Sequence, residues 1–218
     1  DCAEAFGTTY KKKHVGKFGD IGTFSFFGNK TITTGEGGIL IFKKKEDFAL
    51  ASKLRNQGMS PLKKYWHDEV GFNFRMTNMQ AAIGLAQLEQ ANYFIKRKIE
   101  IQKKFVKKLK NLKEIYFPKK NKIVKNSHWL TYFRINNLKE GKNIRKNLLK
   151  FLINKGVEAR TGFYSAHTMG IYKRYINKKL SYKNSINASK NLISLPSSVN
   201  LTDNEIDYIA SKIKEFFK

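Results

Sequence analysis

The sequence predicts an α/β protein, and three observations carry that prediction. Two short runs, "GTFSFF" (Gly22–Phe27) and "GGILIFK" (Gly37–Lys44), are apolar or alternating, flanked by glycine, and followed by a helical stretch. The longest helical pattern of the chain opens at Thr77 and carries apolar residues to about Leu112. Strand-like and helical segments then alternate again to the end of the chain. Such alternation suits layered α/β domains, in which each sheet face and helix stripe is buried against its neighbour.

The elements follow in order. "EDFALASKLRNQG" (Glu46–Gly58) reads as a helix with Gly58 as its stop. Thr77 opens the long helix: its hydroxyl is placed to cap free backbone amides, and Gln80 three residues on completes a capping box. Ile83, Leu88, Ile95, Ile99, Phe105 and Leu109 carry the pattern to about Leu112, with room for one break. A helix of this length suits a connection between domains, so the expected boundary lies near its end, with domains at 1–112 and 113–218. Beyond it, "HWLTYFRI" (His128–Ile135) is strand-like and "KNIRKNLLKFLINKG" (Lys142–Gly156) is an amphipathic helix ended by glycine. "VEARTG" (Val157–Gly162) reads as a strand and turn. Thr202 and Glu205 form a second capping box, and the helix they open ends in a basic C-terminus, as the helix dipole favours.

The bulk composition narrows the class. An apolar fraction of 41% and an aromatic fraction of 13% sustain a core despite a formal net charge of +26. No run of 18 apolar residues is present, and "DCAEAFG" has no basic stretch followed by an apolar one, so neither a membrane span nor a signal peptide is expected. Cys2 is the single cysteine, which excludes an internal disulfide and fits a reducing, cytoplasmic setting. The chain begins with Asp1, inside what reads as a motif, so a fragment is expected. Only 7 of the 43 basic residues are arginine, the better bidentate reader of phosphate and guanine. The densest run, "KKFVKKLKNLK" (Lys103–Lys113), has apolar residues at helical spacing, so its lysines form a solvated face. Specific nucleic-acid binding is therefore not expected, although weak attraction to polyanions is.

Candidate chemistry centres on "FSFFGNKTITTGEGG" (Phe24–Gly38). A phosphate-binding P-loop fails because five residues separate Gly22 from Gly28 and Asn29 intrudes before Lys30. "GEGG" (Gly35–Gly38) precedes a strand, not a helix, so the dinucleotide fingerprint fails too. His14, His67, His128 and His167 lack metal-ligand spacing, and Ser25 has no nucleophile elbow, so no metal is expected. A lysine on a glycine-flanked turn after a strand can form a Schiff base with pyridoxal phosphate. That chemistry also needs an acid at the pyridine nitrogen and a phosphate ligand, roles that Asp1 and the Ser25 hydroxyl could fill. On the residues alone the plainer reading, an ordinary surface turn lysine among 36, prevails over a covalent catalyst.

Phe24–Gly38 resembles the cofactor-lysine motif of the DegT/StrS-type sugar aminotransferases, and within that family the perosamine synthases; Asp1–Lys30 resembles the stretch from the family's pyridine-binding aspartate to that lysine. "YWHDEVGFNFRMTNMQAAIGLAQLEQ" (Tyr65–Gln90), "GVEARTGFYSAHTM" (Gly156–Met169) and "SLPSSVNLTDNEI" (Ser194–Ile206) resemble further family segments in the family's order. The resemblance implies part of a fold type I, aspartate aminotransferase-like large domain, followed by a small C-terminal α/β domain. It implies that Lys30 carries pyridoxal 5'-phosphate and later shuttles a proton. Asp1 would pair with the pyridinium nitrogen, Glu4 would lie near the ring, and Ser25 would bind the phosphate. Asn73 would reach the phosphate of a neighbouring subunit, which implies a homodimer with shared sites; as a turn amide it has an equally plain structural reading. His67, Arg75, Arg160 and His167 would line the substrate side, the arginines facing a carboxylate or diphosphate, or else serving as structural ion-pair partners.

The implied activity is amino transfer from glutamate to a nucleotide-linked 4-keto-6-deoxy sugar, GDP-linked by similarity, for surface polysaccharide. Family members carry a substantial segment before the equivalent of Asp1, with a phosphate cradle and a stacking aromatic. A chain complete as written is accordingly expected to be inactive alone, with an exposed sheet edge. The rival readings are a non-catalytic or truncated relative, against which Lys30 itself argues, and a basic polyanion-binding protein.

Overall fold

A computed structural model of the chain describes residues 1–136 and 143–218. The described residues form two compact units, one of Asp1–Lys96 with Asn121–Trp129 and one of Arg97–Lys120 with Leu130–Lys218.

In the first unit, β1 (Thr9–Tyr10) and β2 (Lys13–His14) form a hairpin. Its two-residue turn places Lys11 and Lys12 both at positive φ, 48° and 65°. That backbone matches the strand twist but is normally given to Asn and Gly. β3 (Ile21–Ser25) and β4 (Gly38–Phe42) pair antiparallel from Ile21↔Phe42 to Ser25↔Gly38, so the loop carrying Lys30 leaves and re-enters at the same end of the ribbon. α1 (Lys45–Arg55) stops three residues before Gly58, because Gln57 and Gly58 are both left-handed, at 65° and 67°. α2 (Asn78–Glu89) starts at Thr77 with the expected capping box complete: Thr77 Oγ accepts from Gln80 N–H, and Gln80 Oε1 accepts from Thr77 N–H.

The expected break falls at Gln90, whose φ of −97° and ψ of 5° depart from helical values; α3 (Ala91–Leu109) follows at once. The two units divide inside α3, between Lys96 and Arg97, whereas the sequence reading set its boundary at the end of the helix. The physical basis is the apolar stripe of the later turns: Ile101, Phe105 and Leu109 have no exposure and belong to the core of the second unit.

After β5 (Ile115–Tyr116) the chain returns to the first unit as β6 (Val124–Lys125), which pairs with β1 through Thr9↔Lys125 and Tyr10↔Val124. β7 (Thr131–Ile135) then enters the second unit with Thr131, Phe133 and Ile135 buried and the residues between them partly exposed. Here the strand expected over His128–Ile135 is shorter than predicted. His128 has φ 55° and donates its N–H to the Asn126 Oδ1 at 2.7 Å, a turn geometry that no strand can contain.

α4 (Ile144–Asn154) and its left-handed stop at Gly156, φ 73°, follow the reading, except that Lys142 lies outside the described residues. β8 (Arg160–Thr161), α5 (Lys183–Asn191), β9 (Leu192–Leu195) and α6 (Asp203–Phe216) complete the chain. The second sheet has the order β5-β7-β9-β8, antiparallel throughout. α3, α4 and α6 supply Phe105, Leu148, Leu152, Ile206 and Ile213 to its core, against Phe133 and Ile193 of the sheet.

Candidate active site

Lys30 sits in a turn that its neighbours hold together. Phe26 is the hub: its N–H donates to Gly37 O (2.8 Å), and its carbonyl accepts from Thr34 N (2.9 Å) and Thr33 Oγ (3.0 Å). Thr34 Oγ donates to Glu36 O and Gly35 N–H donates to Thr33 Oγ, so the threonine hydroxyls and the Glu36 backbone carbonyl shape the turn. Ile32 and Thr34 are buried, and Gly84 of α2 faces Thr34, where a Cβ would come within 2.8 Å of the threonine methyl. Close helix approach therefore fixes the far side of the loop.

The Lys30 side chain is 13% exposed. Its Nζ lies 3.8 Å from Glu4 Oε1 and 4.1 Å from the centre of the Trp129 ring. Trp129 is buried, and its Nε1–H donates to the Asn29 carbonyl at 2.7 Å. Asp1 is exposed; its carboxylate accepts from Ala3 N–H at 2.9 Å, while Cys2 N–H donates to Thr23 O at 2.8 Å and lays this segment along β3. Ser25 closes β3, and its Oγ accepts from Phe27 N–H at 3.3 Å.

Three further candidates lie around the end of α1. Asn73 forms an isolated antiparallel bridge with Asn56 and is exposed. Arg75 donates to Asn56 Oδ1 at 3.4 Å. His67 Nδ1 lies 2.9 Å from the Gln57 carbonyl, which places a proton on that nitrogen. Arg75 also borders an open, largely apolar cavity of about 840 Å³ formed by β4, α1 and the Phe72–Met76 segment; Lys30 is not among its lining residues. In the second unit, Arg160 pairs with Glu158, both well exposed. His167 stacks on Tyr182 with ring centres 4.2 Å apart, and its Nε2 is buried without a hydrogen-bond partner. The structure thus brings Glu4 to Lys30, sets Ser25 and Asp1 on β3 and its flank, and engages Arg75 and Arg160 with nearby side chains. Among the described residues no group of three or more His, Cys, Asp or Glu is arranged to hold a metal ion.

Sequence reasoning missed Trp129, which falls within the strand-like run His128–Ile135. The available signal was Asn126, a turn-forming residue just ahead of it.

The chain belongs to the DegT/DnrJ/EryC1/StrS aminotransferase family, which it matches over residues 1–214. It is 42% identical to GDP-perosamine synthase of Escherichia coli O157:H7 over 222 residues, covering 100% of this chain and 57% of that protein. It is 41% identical to GDP-perosamine synthase of Vibrio cholerae, covering 100% of this chain and 58% of that protein. The chain therefore spans a little over half the length of these relatives. Among solved structures, the aminotransferase TlmJ from Streptoalloteichus hindustanus superposes with a TM-score of 0.89 at 22% identity, over 100% of this chain and 57% of its own. Helicobacter pylori PseC, an aminotransferase of pseudoaminic acid biosynthesis, gives a TM-score of 0.87 at 25% identity, over 100% of this chain and 58% of its own. The mixed α/β architecture is thus part of the fold type I, with a small α/β domain.

Proposed function

We propose that this chain is the lysine-bearing portion of a pyridoxal phosphate-dependent aminotransferase that moves an amino group from glutamate to a GDP-linked 4-keto-6-deoxy sugar. One observation carries the reading: a lysine shielded to 13% exposure on a rigid turn, with a carboxylate at 3.8 Å, in a chain of this family. The donor set suits the cofactor. Lys30 offers the amine, Asp1 a carboxylate for a ring nitrogen, and Ser25 a hydroxyl for phosphate. Gly28 and Gly35 leave open space where side chains would stand, the nearest atom to a Cβ on Gly28 being 3.7 Å away. Bound there, pyridoxal phosphate supplies an aldehyde that takes up amino groups and a ring that accepts electrons. Lys30 would hold it through Nζ and, when free, would move a proton at the substrate carbon. Asp1 would keep the ring nitrogen protonated through its charge.

The substrate-side roles of His67, Arg75, Arg160 and His167, and that of Asn73 toward a neighbouring subunit, belong to the same proposal. A homodimer is supported by the exposed apolar residues Ile39, Leu40, Phe48 and Phe74 of the first unit, a cluster of the kind that marks interaction surfaces. No helix among the described residues is long and apolar enough to cross a membrane, and we place the protein in the cytoplasm on its single free cysteine. The test is to add pyridoxal phosphate, reduce with borohydride and map the adduct by mass spectrometry. Adduct concentrated on Lys30 and lost in Lys30→Ala supports the reading; adduct spread evenly over exposed lysines overturns it.

A further inference from the structure

The free Lys30 amine is not left to solvent. Its Nζ stands over the Trp129 indole at 4.1 Å, and Trp129 is pinned to the preceding residue by the Nε1–H bond to Asn29 O. The turn presenting the indole is itself over-determined. Ser127, 1% exposed, is joined to Thr8 by a hydroxyl–hydroxyl bond of 2.9 Å and by its N–H to Thr8 Oγ at 3.1 Å. β6 pairs with β1 just ahead of it. His128 is held left-handed at φ 55°, a conformation that non-glycine residues keep only where surrounding contacts impose it. The segment that delivers Trp129 is therefore stitched to the same stretch of chain that delivers Glu4.

Resting on the assignment of Lys30 above, we propose that Trp129 is a positioning residue: its indole face is the station that holds the Lys30 ammonium whenever that amine is not bound to cofactor. Glu4 is 54% exposed on its side chain, and an exposed ion pair at 3.8 Å is weak, so the ring is the main hold. A lysine stem has several rotatable bonds; without a hold, the freed amine would spend most of its time away from the carbon whose proton it must move. A cation over an indole face within about 6 Å shifts such a balance by roughly 2- to 30-fold.

The sign of the effect separates this role from simple packing. The amine condenses with the cofactor aldehyde, a C=N bond forming as one water leaves and the ammonium proton passes to solvent. Borohydride then delivers hydride to that bond and fixes the product. A station that stabilises the free ammonium opposes this capture, so Trp129→Leu should tighten capture on Lys30 by about 2- to 30-fold relative to exposed Lys11. Trp129→Phe, which keeps a ring face, should stay within about twofold of the unaltered chain. Capture that is unchanged or weaker in Trp129→Leu overturns the proposal, because a packing role alone loosens the turn and weakens it. A cofactor-free measurement stands beside this one. In a Trp66→Phe chain Trp129 is the sole indole emitter, and Lys30→Met must alter its emission; an identical spectrum overturns the station. The emission result decides if Trp129→Leu does not fold. It also decides if no variant forms a Lys30 adduct, an outcome that counts against the cofactor reading alone.

Discussion

Lys98 shows how one residue can set a pH dependence. It lies on α3 with 7% exposure, and burial pushes its amine down to about 8, since a low-dielectric surround penalises the charged form. The unfolded chain binds this proton up to about 10.5, so between about 8 and 10.5 the unfolded state holds more protons. Stability should therefore rise with pH across that window, by at most about 3 kcal/mol. Lys98→Met should flatten the rise and stabilise the protein at pH 7. Denaturant midpoints measured by circular dichroism from pH 7 to 10.5 check both statements. His128 is likewise held below its ordinary value by burial, beside the Trp129 turn. At this scale Lys30, Ser25 and Asp1 were legible as candidates from residue type and position. Trp129 was not, because a cation–ring contact joins residues about 100 apart in sequence.

Among the elements, the punctuation residues were the most readable and give the cleanest tests. Thr202 caps α6 by accepting from Glu205 N–H at 3.3 Å, while Glu205 Oε2 accepts from Thr202 N–H at 2.7 Å. The Thr202 N–H bond, joined by one from the Thr202 hydroxyl to the same oxygen, holds the Glu205 carboxyl below its ordinary range. Thr202→Ala should cost about 1 kcal/mol, read as a lower urea midpoint. Gly58 ends the turn after α1 at φ 67°, and a Cβ there would stand 2.0 Å from the Glu69 carbonyl oxygen. Gly58→Ala should cost at least about 1 kcal/mol, also read from the urea midpoint, because left-handed strain and a backbone clash add. Elements without punctuation escaped notice. β9 is only "LISL", too short to show a period, yet it pairs with both β7 and β8. α5 is polar over most of its nine residues and shows no clear apolar stripe to the eye.

For the whole molecule, charge and family membership pull in different directions. The net charge of +26 predicts retention on nucleic acid or heparin at low ionic strength. Elution should be complete at moderate salt and indifferent to sequence, since counterion release carries no base readout. Retention that survives high salt or prefers a sequence, measured by step elution, would revive the polyanion-binding reading. The distribution of burial is equally telling: the main apolar cluster lies wholly in the second unit, whereas the first exposes Ile39, Leu40 and Phe48 beside the cavity at Arg75.

The sequence by itself determined the α/β class, the two capping boxes, the helix stops and the candidacy of Lys30. These depend on hydrogen bonds and periodicities that close within a few residues. Only the tertiary structure decided where the units divide, which strands neighbour one another and what stands over the lysine. The division inside α3 follows from which core claims Ile101, Phe105 and Leu109, and the setting of Lys30 from a strand that returns after residue 120 to pair with β1. Contacts of that kind are fixed by burial and long-range pairing, which no local pattern in the chain encodes.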